Sequence, residues 1–310
     1  MHGRLRKNKF GMIALIMVMI IPAVILAGCQ DEAVEETGSQ GIFYEVRGGE
    51  TELYLFGSVH VGEEDMYPLR NAVMEAFEGA DLLAMELDLE SIDEMAIAQE
   101  MSEAAMFQDG RRLRDVIEED TFYVLILLTQ EYGFTAEVMD LFQPWYAAML
   151  ASQIAVEESR FSQEYGIEQF FMDEREDQEI IGLEDVMDQL RPFLLMDDEA
   201  QKEYLEQTLE ELETLEEDFT EMVDRWIEGD TEYFERIRSE MLEEETTESI
   251  AAYQQAISDE RDEQMTEKIV ELMESGDHDQ IFVVVGALHL VGDLGIPARL
   301  EDMGYEVILH

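Results

Sequence analysis

The sequence predicts an α/β fold: a central mixed sheet flanked by helices, with a large helical insertion. Short runs of apolar and β-branched residues at Glu52 to Phe56, Asp81 to Leu87, Glu179 to Leu183 and Gln280 to Val285 have the length of buried strands. Between them lie much longer stretches whose apolar residues recur every three or four positions, the period of helices. Two of the strand runs close on one motif, Gly57-Ser58-Val59-His60 and Gly286-Ala287-Leu288-His289. The 310 residues include only five histidines, so two at matching strand ends mark that edge of the sheet, where open α/β sheets bind ligands.

The chain begins with a basic stretch, Met1 to Lys9, followed by the apolar run Phe10 to Leu26 and then Leu26-Ala27-Gly28-Cys29. This is the pattern of a secretory signal peptide over residues 1–28, and it resembles the lipobox of bacterial lipoproteins, whose cysteine is diacylated and becomes the mature N-terminus. An uncleaved anchor is the alternative, because about seventeen apolar residues approach the minimum for a membrane span. Either way the expected location is the extracytoplasmic face of the cell membrane, with Cys29 as the lipidation site. Cys29 is the only cysteine, so no intramolecular disulfide forms. Residues 29–40 are polar and acidic, without periodicity, and read as a flexible tether to a domain spanning 41–310.

Within the domain, Phe43 to Arg47 and Glu52 to Phe56 flank Gly48-Gly49-Glu50, a hairpin signal. Leu69 to Gly79 is helical, and Asp81 to Leu87 is a buried strand carrying one acid, Glu86, near its end. The insertion runs roughly from 91 to 260. Helices are expected over Ser91 to Phe107, Leu113 to Glu131 and Ala136 to Glu157, with Pro144-Trp145 inside the last, and another opens at Gly166-Ile167-Glu168. A third buried strand, Glu179 to Leu183, leads to Glu184. Asp197 to Glu228 is amphipathic, with leucines at 205, 209, 212 and 215, helical patterns continue over Thr231 to Glu243 and Ser249 to Ile257, and the segment Asp259 to Ser275 leads to the second Gly-x-x-His strand. A helix near Gly292 to Met303 and a strand at Tyr305 to Leu309 complete the fold.

Charge narrows the function. The chain has 75 acidic and 19 basic residues, and four of the basic ones precede Cys29, so the remainder carries 15 against 75, a formal charge of −60. Such a polyanion repels nucleic acid, which excludes nucleic-acid partners. Acids spread this evenly read as solvated faces suited to salt or high pH. The twenty methionines, at helical spacing, read as core filler.

Glycine lets the backbone turn sharply at a strand end, and a histidine three residues later can reach over the sheet edge. Neutral imidazole is the commonest nitrogen ligand for divalent ions, and a carboxylate completes a site that leaves a position open for water. His60, His289 and Glu86 supply that set. The alternative for each histidine is an ordinary hydrogen-bonding residue at a strand end.

Together with Pro68-Leu69, Pro144-Trp145, Gly182-Leu183-Glu184, Gln189-Leu190, Arg261-Asp262 and Met265, these motifs make the chain similar to the TraB/GumN family over about Gly41 to His310. Its relatives include the TIKI metalloproteases, and its fold is related to the erythromycin esterase and ChaN-like group. The resemblance implies a metal-dependent, peptidase-like hydrolase with His60, Glu86 and His289 as ligands of a divalent ion such as Mn, Co or Zn. It makes Glu184 a further ligand or general base, and it has Arg261 holding a substrate carboxylate or a developing oxyanion. Peptides or proteins are the implied substrates. The rival expectations are a protein that binds a pheromone-type peptide without cutting it, and a heme or iron binder using the same histidines. The family usually reads Gly-Ile-Asp where this chain has Gly166-Ile167-Glu168.

Overall fold

The computed structural model describes residues 38–310 apart from 89, 92–93 and 244–246; the expected signal peptide, Cys29 and the expected tether as far as residue 37 lie outside the described residues. The fold is α/β, as the sequence predicts, with a mixed sheet of six strands in the order β4-β3-β5-β2-β1-β6.

β1 (Ile42–Arg47) and β2 (Glu52–Ser58) form the hairpin. Its turn includes Gly48 at φ +115°, a left-handed conformation that favours glycine. β2 pairs in parallel with β5 (Gln280–Gly286), β5 with β3 (Leu82–Met85), and β3 with β4 (Glu179–Gly182). β6 (Glu306–Leu309) runs antiparallel to β1. The four parallel strands therefore end on one edge, and that edge gathers Ser58, Gly286, Met85 and Gly182.

Both described ends of the chain lie on the same edge. Ser39 bridges Leu69, and Gln40 N–H donates to Ile227 O, just before β1 starts opposite Gly57. At the other end His310 N–H donates to Phe43 O at 3.0 Å, and Arg70 Nη2 donates to His310 O at 3.1 Å.

The helices are α1 (Asn71–Gly79), α2 (Glu94–Ala105), α3 (Glu119–Thr129), α4 (Ala136–Met139), α5 (Pro144–Glu158) and α6 (Ile167–Glu174) before β4. After β4 come α7 (Val186–Leu195), α8 (Asp198–Glu211), α9 (Leu215–Glu228), α10 (Thr231–Glu243), α11 (Glu248–Gln255), α12 (Arg261–Ser275) and α13 (Ile296–Asp302). The helical insertion is thus in two parts, because β4 rejoins the sheet between α6 and α7.

Three expected helical stretches divide, the first of them, Leu113 to Glu131, into a 3-10 turn at Leu113–Asp115 and α3. Pro144 sits at the first position of α5, where its missing N–H is no loss, so it starts a helix instead of lying inside one. The amphipathic run Asp197 to Glu228 breaks between α8 and α9, where Thr214 leaves helical geometry at ψ 5°. A π-helical turn, Ala256–Glu260, joins α11 to α12, and such turns recur at functional sites. No helix among the described residues is long and apolar enough to cross a membrane.

One core lies against the sheet, where Phe56, Phe77, Phe171 and Phe282 pack ring to ring at centroid distances of 4.8 to 6.1 Å. A second core lies within the insertion and is built on Trp145, Phe193, Leu205 and Tyr253. The insertion therefore has a hydrophobic interior of its own and can hold polar residues rigidly over the edge of the sheet.

Candidate functional site

The parallel ladder places Ser58 opposite Gly286 and Met85 opposite Val284. The two Gly-x-x-His motifs are consequently out of step by one residue: Gly57 stands opposite Val285, not Gly286. After β5 the offset is taken up by a 3-10 turn, Ala287–Leu290, which carries His289, whereas after β2 the chain continues to His60 two residues beyond the strand. Glu86 follows β3 directly. His60, Glu86 and His289 thus come together at the ends of three adjacent strands.

Each imidazole is held through its Nδ1 by a carboxylate. His60 Nδ1 lies 2.8 Å from Glu168 Oε1, and the same oxygen accepts a bond from Ser58 Oγ. His289 Nδ1 pairs with Asp262 Oδ1, whose side chain is fully buried. His289 Nε2 then stands 3.8 Å from Glu86 Oε1, too far for a hydrogen bond. Gly286 N–H donates to that same Glu86 oxygen at 2.7 Å.

Arg261 organises the acids. Its Nη2 donates to Glu86 Oε2 at 2.9 Å and to Glu184 Oε1 at 2.5 Å, and its Nε donates to Glu184 Oε2 at 2.9 Å. Gln189 Nε2 bridges the same two carboxylates, at 3.1 Å from Glu86 and 2.9 Å from Glu184. Arg261 is only 3% exposed, so its guanidinium serves these two carboxylates in the described arrangement and has little surface left for a solute. A buried fork of this kind is strong because two donors meet one carboxylate in a fixed plane.

The electrostatics follow from these contacts. Burial opposes charge on Glu86, but Arg261, His289, His60 and the Gly286 N–H outweigh it and lower its pKa to about 2. For His60, burial favours the neutral ring, yet the neighbouring Glu168 reverses this and raises it to about 9. Glu168 is held below its ordinary value, against the effect of burial, by His60 and Ser58. An ion bound through His60 therefore has to displace a proton.

The donor set fits an ion in its chemistry. A ligating imidazole is usually oriented through its other nitrogen by a carboxylate, and both histidines meet that condition. Two ligands held about 2.1 Å from a tetrahedral ion stand roughly 3.4 Å apart, close to the separation of His289 Nε2 and Glu86 Oε1. His289 and Glu86 thus suit one ion as a pair, with His60 on the third strand end. Among the described residues no group of three or more His, Cys, Asp or Glu side chains is arranged to hold a metal ion.

Two glycines are required by close approach. A Cβ on Gly166 would meet His60 O at 2.4 Å, and one on Gly286 would meet Glu86 Oε1 at 3.2 Å and His289 Cδ2 at 3.4 Å. Gly166→Ala is expected to destabilise the fold by about 1–3 kcal/mol, because backbone must move to admit the methyl group. Chemical denaturation of the variant checks this, and a midpoint equal to wild type would contradict the packing around His60.

Asp262, Gln189 and Ser58 join the site without a sequence signal of their own. The first two lie in segments that carried the family resemblance, and Ser58 lies inside a Gly-x-x-His motif; none has a spacing that announces a site contact.

These features define an α/β protein with two carboxylate-anchored histidines around a buried glutamate at the carboxyl edge of its parallel strands. The chain belongs to the TraB/PrgY/gumN family, whose model matches residues 42–308. It is 25% identical over 154 residues to the uncharacterized protein YbaP of Escherichia coli (strain K12), which covers 49% of this chain and 55% of that protein. It is also 23% identical over 153 residues to an uncharacterized protein of Treponema pallidum (strain Nichols), covering 48% of this chain and 45% of the relative. The chain spans about half the length of these curated relatives. No solved structure matches it.

Proposed function

We propose that this member of the TraB/PrgY/gumN family is a metal-dependent hydrolase that acts on peptides at the extracytoplasmic face of the cell membrane, anchored by lipid on Cys29. The observation that carries the reading is the pair of carboxylate-held imidazoles placed around Glu86, with His289 Nε2 facing Glu86 Oε1 at 3.8 Å. His60, Glu86 and His289 would hold the ion, with Mn, Co and Zn all compatible with nitrogen and oxygen donors. Bound there, a divalent ion supplies a water acidified toward neutrality and a positive charge to polarise a carbonyl.

The chain's own residues set up that chemistry. Glu168 and Asp262 fix the two rings, and Arg261 with Gln189 fixes Glu86. Glu184, buried against Arg261, orients the guanidinium in this reading and through it Glu86. Gln189 keeps an amide beside both carboxylates.

A second reading is favoured by one observation: both oxygens of Glu86 already accept hydrogen bonds, so that carboxylate is satisfied without an ion. On that reading the protein captures a peptide and leaves it intact. Elemental analysis of the purified protein separates the two. Wild type is expected to retain a divalent ion, and His60→Ala and His289→Ala are expected to lower its affinity at least tenfold while far-ultraviolet circular dichroism is unchanged. Wild-type protein that takes up no divalent ion would sink the hydrolase reading. Incubation with a peptide library then shows whether bound peptides are cut.

A further inference from the structure

We propose that Arg238, contributed by α10 of the insertion, is a positioning residue for His289. The inference rests on the reading of His289 as a functional ligand. Arg238 is 4% exposed and lies far from the strand motifs in sequence. Its Nη1 donates to Leu288 O at 2.8 Å, the carbonyl just before His289, and lies 2.7 Å from Asp262 Oδ2. Its Nη2 donates to Asp259 Oδ1 at 2.9 Å, on the π-helical turn before Arg261. One guanidinium therefore grips the backbone that carries His289, the carboxylate that receives His289 Nδ1, and the turn that delivers Asp262.

The physical consequence is directional. Asp262 is fully buried, and a carboxylate without water needs a partner to remain an acceptor. Arg238 supplies a positive charge 2.7 Å from Oδ2, while Oδ1 faces the imidazole. A neutral His289 then carries its ring proton on Nδ1, facing Oδ1, and turns Nε2 toward Glu86. Removing Arg238 would take a donor from Leu288 O and leave the buried Asp262 carboxylate without its neighbouring cation, so the ring would lose both its anchor and its fixed tautomer. Gly292 fits the arrangement, since a Cβ there would meet Arg238 Cδ at 3.3 Å.

The test uses the full chain with Arg238→Met, read in two ways at one fixed pH. Nitrogen-15 NMR of the imidazoles is expected to show His289 as the single Nδ1–H tautomer in wild type and as a mixture in the variant. Titration with Mn²⁺ alone is expected to show a 10- to 100-fold weaker affinity in the variant. A folded Arg238→Met protein with the wild-type tautomer and the wild-type Mn²⁺ affinity overturns the proposal. If that variant does not fold, Arg238→Gln, which keeps bulk and one donor, is read in the same two ways with the same criterion. Wild-type protein that takes up no Mn²⁺ would count against the metal reading, while the tautomer measurement would still decide the role of Arg238.

Discussion

Arg261→Met is expected to cost about 3–5 kcal/mol of folding stability, measured as a shift in denaturant midpoint, because it leaves two buried carboxylates without their cation. Arg261, Glu86 and Glu184 have side chains 3%, 11% and 3% exposed, so water does little to replace the lost charge. Glu184 would lose both of its bonds to the guanidinium and Glu86 would lose one, leaving Gln189 as the donor shared between them. The effect is specific to charge: Arg261→Met combined with Glu184→Gln should recover part of the loss, since a neutral amide is cheaper to bury than an unpaired carboxylate. Equal stability of the single and double variants would show that the arginine matters for packing alone.

Trp226→Ala is the second large effect. The indole is fully buried in α9, lies edge-on to Phe56 at 5.7 Å, and donates from Nε1 to Gly57 O at 2.7 Å. Truncation removes a large apolar side chain, expected to cost about 3–5 kcal/mol. It also removes the indole donor from the carbonyl of Gly57, at the start of the first Gly-x-x-His motif. On the proposed metal reading the variant loses affinity for divalent ions as well as stability, because the insertion no longer pins the end of β2 from which His60 projects. Trp226→Phe separates the two contributions by keeping most of the apolar volume and removing the donor. A Trp226→Phe protein with wild-type stability would show that the bond to Gly57 contributes nothing.

The three strand ends were legible because buried parallel strands leave compact apolar runs and because Gly-x-x-His is rare in a chain with five histidines. Glu86, Glu184 and Arg261 could be named from their segments, and the structure brings all three together. Their bonding to one another was not legible, since sequence spacing carries no information on which acid meets which base across 175 residues. Arg238 was hidden for a sharper reason. In an acidic, amphipathic helix the pair Arg236 and Arg238 reads as part of a solvated face, and only the tertiary approach of α10 to the π-helical turn buries Arg238. The one-residue offset between the two histidine motifs was also invisible, because aligning Gly57 with Gly286 by identity conceals the ladder that sets Ser58 opposite Gly286. Helix limits in the insertion moved where one residue changed the backbone, as at Pro144 and Thr214.

The direction of β6 bears on how such a protein is purified. His310 is joined to Phe43 at the edge of the sheet where the parallel strands end, two strands away from β2 and thus roughly 10 Å to the side of it. A polyhistidine tag fused there would emerge beside the native imidazoles and compete with them for any added ion. Stoichiometries taken on tagged protein would then count ions bound by the tag, so metal content is best measured after the tag has been cleaved.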